Sequence, residues 1–251
     1  MSGHSKWSSI KHQKGVADAR RGQLFTKLTR EIIVAAREGG SNPEANFRLR
    51  LAIQRARDNN MPLENIERAI KRGTGELEGA SLVELVLEGY GASGVAILVK
   101  ALSDNRNRTL QDVRNIFSRH GGNLGESGCV AWLFDSKGVI TIETDGLDAD
   151  ELALDAIDAG AEDIKVENNY VEIYTRPEEL ETVRTALEQK NLRIASAELS
   201  MVPKTTVELE EKAALQTLKL LDKLEELDEV QSVSSNADFS DSILERYRSG
   251  D

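Results

Sequence analysis

The sequence predicts an α+β protein of three domains: an N-terminal helical bundle plus two ferredoxin-like α/β sandwiches, the third inserted in the second. Three observations predict this. Residues 1–75 carry apolar groups at helical spacing and 15 Lys and Arg against 7 Asp and Glu, a net of +8. Residues 138–202 alternate in the order βαββαβ, that of a ferredoxin-like unit. Before them stands a strand-strand-helix-strand unit that lacks a second helix, and the helix and strand that would complete it come after residue 205. The expected boundaries are 1–75, then 76–135 together with 206–251, and 136–205 as the insert.

Each element has its own signal. Residues 1–15 mix Gly, Ser, Lys and His around Trp7 and Ile10, a composition expected to be mobile and suited to docking. From about Ala17 a helix places Leu24, Phe25, Leu28, Ile32 and Ala35 on one face, and Arg20, Lys27, Arg30 and Arg37 opposite, as an outward row. Gly39 and Gly40 end it. A second helix, from about Glu44 to Asp58, carries Arg48, Arg50, Arg55 and Arg57 around Phe47, Leu51 and Ile53. Pro62 opens a third, with Leu63, Ile66, Ala69 and Ile70 at core spacing, and Gly73 and Gly75 stop it. The last two helices, joined through Asn59-Asn60-Met61, have the outline of a helix-turn-helix without a decisive recognition helix.

Leu82–Gly89 and Val95–Leu102 read as a hairpin, Thr109–His120 as a helix with Leu110, Val113, Ile116 and Phe117 inward, and Cys129–Phe134 as a strand. The insert reads as strand Val139–Glu143, helix Asp150–Ala159, strands Ile164–Glu167 and Val171–Tyr174, helix Pro177–Gln189 and strand Ala195–Val202. Thr205 and Glu208 suit a capping box for a helix through Leu227. Val230–Ser234 follows as the closing strand.

Composition limits the function. The chain has 251 residues, 30% of them charged, and no apolar run near the ~18 residues that span a bilayer, so no membrane partner is expected. The opening has neither the apolar stretch of a secretory signal nor the acid-poor character of a transit peptide. A single cysteine, Cys129, forms no internal disulfide, and the expected compartment is the reducing cytoplasm. Residues 76–251 carry 17 Lys and Arg against 36 Asp and Glu, a net of −19. A basic head on an acidic body attracts a polyanion at one end and repels it elsewhere.

Chemistry is thin. His4, His12 and His120 have no partner at metal-ligand spacing, and Cys129 sits in an apolar run, which favours packing over nucleophilic attack. Asp145, Asp148 and Asp150 lack the glycine and closing glutamate of a calcium loop; negative charge at a helix start accounts for them. Gly89–Gly94 reads as a turn. The loop Asp104–Thr109 is different, since Arg106 and Arg108 beside two amides suit phosphates or base edges, with capping and solvated charge as the competing reading. No cofactor and no catalysis are expected.

The opening MSGHSKWSSIKHQKGVADARRGQLFTKLTREI, the stretch NNMPLENIERAIKRGTG, the loop SDNRNRT and the run GAEDI together resemble the YebC family of bacterial regulators, which includes the mitochondrial translational activator of cytochrome c oxidase. The resemblance spans almost the whole chain. It implies a helical domain and two α/β domains, the third inserted in the second, with no established catalysis. Members are labelled DNA-binding transcriptional regulators, while relatives are linked to ribosome binding and relief of stalling on proline-rich nascent chains. Carried onto this sequence, it offers Lys6, Lys11, His12, Lys14, Arg20, Arg21, Arg106 and Arg108 as phosphate contacts. This chain departs from the family pattern at Ala92-Ser93, where Pro-Gly is frequent, at Cys129, where Ser is common, and at Ser234, where an aromatic is usual.

The expected function is therefore a non-enzymatic regulator of gene expression that binds through its head, with Lys27 and Arg30 of the first helix among the contacts and Trp7 able to stack on an unpaired base. Ribosomal RNA, with the ribosome as partner, is the favoured target, and sequence-specific binding to duplex DNA is the alternative. A metal-dependent enzyme built on Asp145–Glu151 is the third reading.

Overall fold

The structure, a computed structural model, describes residues 18–79, 81–144, 148–166 and 170–249. It is a mixed α/β fold with antiparallel main sheets. The chain forms two compact units, one running to Trp132 and resuming at Thr206, the other Leu133–Thr205. The helical head and the discontinuous α/β segment thus share one unit.

The head contains α1 (Asp18–Gly39), α2 (Phe47–Asp58) and α3 (Leu63–Gly73). The apolar stripes meet in one core that includes Leu28, Ile32, Ala35, Leu49, Ala52, Ile66 and Ala69. Helix α2 starts three residues later than expected because Asn46 caps it. The Asn46 side chain accepts from the Leu49 N–H at 3.0 Å and donates to the carbonyls of Ala35 and Gly40, so this buried amide also ties the helix to the end of α1. The face α2 buries is Leu49, Ala52, Ile53 and Ala56, and Phe47 and Leu51 are only half-buried. At Gly73 a Cβ would fall 2.5 Å from the Ile33 carbonyl oxygen and 2.7 Å from the Ala36 methyl. Only glycine lets α3 end this close to α1.

The α/β segment begins with β1 (Val83–Tyr90) and β2 (Ala96–Ser103), an antiparallel hairpin in the register Gly89↔Ile97. Helix α4 (Arg106–Arg119) follows, capped by Asn105 and begun three residues before the expected Thr109. A two-residue strand, β3 (Asn123–Leu124), then pairs with β1. The sheet is completed after the insert by α7 (Glu211–Glu225) and β9 (Val230–Ser235), in the order β3-β1-β2-β9. Ile97, Val99, Phe117, Leu218, Leu221 and Val233 fill the core between sheet and helices.

Two expectations in this segment fail. Cys129–Phe134 is not one strand: residues 125–130 are a loop, Ala131–Leu133 a short 3-10 turn, and the next strand, β4 (Phe134–Glu143), starts only at Phe134. The cause is Glu88, whose buried carboxylate accepts the N–H groups of Gly128, Val130 and Ala131 at 2.6, 2.8 and 2.7 Å and so takes the donors a ladder would need. The capping box at Thr205 and Glu208 does not form either. Val207–Glu208 is β8, paired in parallel with β10 (Ala237–Asp238), and α7 begins only at Glu211. The final helix, α8 (Asp241–Ser249), packs on α7 through buried Leu244, and the Tyr247 hydroxyl donates to the Asp222 carboxylate.

The second unit runs β4 (Phe134–Glu143), α5 (Ala149–Asp158), β5 (Asp163–Val166), β6 (Tyr170–Thr175), α6 (Leu180–Gln189) and β7 (Ile194–Pro203), in the sheet order β5-β6-β4-β7. Its core includes Ile140, Ile142, Leu152, Val171, Ile173 and Leu187. No helix among the described residues is long and apolar enough to cross a membrane.

Candidate nucleic-acid interface

Lys27, Arg30 and Arg37 of α1 do not face outward as expected. Lys27 Nζ donates to the Glu225 carbonyl at 2.5 Å, and Gln23, one turn earlier, donates to that of Glu226. Both acceptors lie at the C-terminus of α7, where unsatisfied carbonyls and the negative end of the helix dipole attract cations. Arg30 donates to the Leu102 carbonyl at 3.2 Å and lies 3.6 Å from the Glu229 carboxylate. Arg37 donates to the Leu82 carbonyl. Between these contacts Val34, Leu82 and Leu102 form a small buried cluster. The row opposite the bundle core therefore faces the α/β segment, because element ends there expose carbonyls that α1 satisfies.

The arginines of the Asp104–Thr109 loop separate in the same way. Arg108 pairs with Asp104 and with Glu229, the latter at 3.1 Å, so Arg30 and Arg108 share the Glu229 carboxylate. Arg106, one of the first residues of α4, is exposed with no ion-pair partner among the described residues. The Asn105 side chain caps the helix by accepting from the Arg108 N–H. Capping thus occupies one of the two amides the loop offered.

Other sequence candidates fall outside this geometry. Lys6, Trp7, Lys11, His12 and Lys14 lie outside the described residues, and Arg20 is placed by its backbone alone, in the first turn of α1. Arg21 is exposed, its guanidinium 5.9 Å from the centre of the Phe25 ring. His120 caps the C-terminus of α4, with Nδ1 2.9 Å from the Ile116 carbonyl oxygen. Asp145 is outside the described residues. Asp148 caps α5 by accepting from the N–H of Asp150 and Glu151. Burial, and then the negative charge of Glu88, push the Cys129 thiol above its ordinary pKa, which keeps it protonated and a poor nucleophile.

A second set of cations stands where sequence reading placed no site. On α3 the core residues Ile66 and Ala69 face inward, which turns Arg68, Lys71 and Arg72 outward at helical spacing. All three are exposed, as is Arg57 near the end of α2, and none has an ion-pair partner among the described residues. By contrast Arg48 is held by Glu38 and Glu84, and Arg55 by Glu31. The signal for α3 was present in NNMPLENIERAIKRGTG: once Ile66, Ala69 and Ile70 are taken as core, residues 68, 71 and 72 must point out. The described head thus offers a phosphate backbone four unneutralised cations from two adjacent helices.

Family comparisons agree with the extent of these elements. Residues 5–76 match the TACO1/YebC N-terminal domain and residues 82–237 the TACO1/YebC second and third domain. A probable transcriptional regulatory protein of Dehalococcoides mccartyi is 64% identical, covering 99% of each chain. One from Natranaerobius thermophilus is 53% identical over 98% of this chain and 99% of its own. The crystal structure of the conserved hypothetical protein Aq1575 from Aquifex aeolicus superposes with a TM-score of 0.85 at 51% identity, covering 92% of this chain and 96% of that one. The chain belongs to the TACO1/YebC family.

Proposed function

We infer that this chain is a non-enzymatic regulator of gene expression that docks on nucleic acid through its helical head. The observation that carries this reading is the set Arg57, Arg68, Lys71 and Arg72, exposed and without an ion-pair partner among the described residues, on a head whose other described arginines are largely engaged by carboxylates and carbonyls. The Lys- and Arg-rich opening adds cations on the same domain. The acidic remainder of the chain resists polyanions and so orients the encounter.

Ribosomal RNA is the favoured target. A Gly-, Ser- and Lys-rich opening with one indole suits an irregular surface of unpaired bases better than a regular groove. The relatives' name, probable transcriptional regulatory protein, supports the second reading, duplex DNA at an operator. Crosslinking in cells, followed by sequencing of the attached nucleic acid, decides between them. Reads concentrated at one site of ribosomal RNA are the expected result, promoter DNA would select transcription, and the absence of both would refute nucleic-acid docking.

A further inference from the structure

Helix α5 (Ala149–Asp158) carries apolar residues on both of its sides. Leu152 and Ala156 enter the core of the second unit, 2% and 0% exposed, whereas Leu154 and Ile157 are 64% and 59% exposed. At ~100° per residue, Leu154 stands opposite the buried pair, and Ile157 lies beside it one turn on. A lone exposed leucine is ordinary on a protein surface, but two aliphatic side chains three residues apart on a helix are neighbours and form one patch.

Carboxylates frame that patch. Asp150, Glu151 and Asp158 fall on the same outward half of the helix, all exposed and none with an ion-pair partner among the described residues. Cations of this unit turn elsewhere: Lys190 to Asp155 on the flank of α5, Lys137 to Glu162, Arg176 to Glu179 and Arg184 to Glu188. Residues 133–205 hold 7 Lys and Arg against 17 Asp and Glu, a net of −10. Such a field repels nucleic acid and anionic lipid, and a second copy of α5 would set carboxylates against carboxylates. What it complements is a cationic surface with apolar side chains of its own.

We propose that the outward face of α5 docks a basic amphipathic segment of a protein partner. An aliphatic or aromatic side chain of that segment covers Leu154 and Ile157, while Lys or Arg residues on either side of it reach Asp150, Glu151 and Asp158. The two kinds of contact do different work. Exposed charges at the rim speed and orient the encounter, and the apolar centre, once cleared of water, slows release. None of these residues belongs to the cationic set of the head, so docking here does not require nucleic acid.

A photocrosslinking residue at position 154 of the full-length protein tests this in cells. The expected product is a protein whose crosslinked peptide, mapped by mass spectrometry, is rich in Lys and Arg and carries an aliphatic or aromatic residue. Its yield should fall severalfold in an Asp150→Asn/Glu151→Gln/Asp158→Asn background. In vitro, a dye-labelled peptide of Lys and Leu with Leu at helical spacing should bind the full chain, and a Glu and Leu peptide of the same pattern should not. Leu154→Ser/Ile157→Ser should weaken the Lys and Leu peptide about tenfold with the salt dependence kept, whereas the triple carboxylate variant should flatten that dependence. Because Leu154 and Ile157 are exposed, their double variant should melt close to the parent. Capture of nucleic acid, of a second copy, of an acidic segment or of nothing would overturn the docking face. Equal affinity of the Lys and Leu peptide for the parent and for Leu154→Ser/Ile157→Ser would overturn it too.

Discussion

Helices α1 and α3 carry the same kind of cation opposite the same kind of apolar stripe, yet the structure treats them oppositely. On α1, Lys27, Arg30 and Arg37 turn to carbonyls at the end of α7, the end of β2 and the approach to β1. On α3, Arg68, Lys71 and Arg72 face solvent. A helical wheel separates apolar from cationic faces but cannot say whether the cationic face meets water or another part of the chain. What decides is the partner surface. Ends of strands and helices present unsatisfied carbonyls, and long basic side chains satisfy them while their stems cover apolar surface. The two rows therefore differ in surroundings: one meets carbonyls of the α/β segment and the other faces solvent.

Reversing charge on each row tests this division. The largest effect is expected from Arg68→Glu/Lys71→Glu/Arg72→Glu, which should lower RNA affinity by about 100-fold and reduce the slope of log affinity against log salt by about 2, with the melting temperature nearly unchanged. Loss of stability instead of affinity would mean α3 is the structural row. Next, Arg30→Glu should cost about 3 kcal/mol in urea unfolding, because it sets a carboxylate against the Leu102 carbonyl and against Glu229. A variant as stable as the parent would show that the contacts of α1 hold nothing together.

Smaller effects sharpen the contrast. Glu88→Gln should cost about 2 kcal/mol at neutral pH, since a neutral amide cannot accept three N–H groups as a carboxylate does. Burial opposes the charge on Glu88, but its three backbone donors together outweigh that and hold the carboxyl below its ordinary pKa. The sign with pH follows: its contribution is complete above the unfolded value near 4.5 and is lost as pH falls through the lower folded value. Parent and variant should therefore converge in acid, which paired unfolding curves would read. Smallest of all, Arg57→Ala should leave stability within about 0.5 kcal/mol and lower the salt slope by less than 1.

Much of the fold was legible because periodicity is local. Leu28, Ile32 and Ala35, the hairpin of β1 and β2, and the βαββαβ run all follow from spacing that the structure retains. The discontinuous sheet was legible by deficit, since two strands, a helix and a strand could not close a core alone. Less legible were features fixed by a single distant contact. Glu88 occupies a strand position that reads as solvent-facing, yet it captures a loop 40 residues on, and so Cys129–Phe134 looked like a strand. The Val207–Glu208 pairing with β10 displaced a capping box that was locally sound. At the interface, the direction of the α1 row depended on Glu225, Leu102 and Leu82, all remote in sequence. Arg68, Lys71 and Arg72 needed only the core assignment of α3 and could have been named from it.

The return of β9 to β2 has a consequence for how the protein is made. Strand β2 ends at Ser103, and its partner begins at Val230, more than a hundred residues later. On an elongating chain the first sheet therefore waits with one edge unpaired, while Leu133–Thr205, whose strands pair among themselves, emerges whole in the interval. Closing so long a loop costs only logarithmically more than closing a short one. The insert can thus take its own shape before its host is sealed, because the strand that closes the first sheet comes after it in the chain.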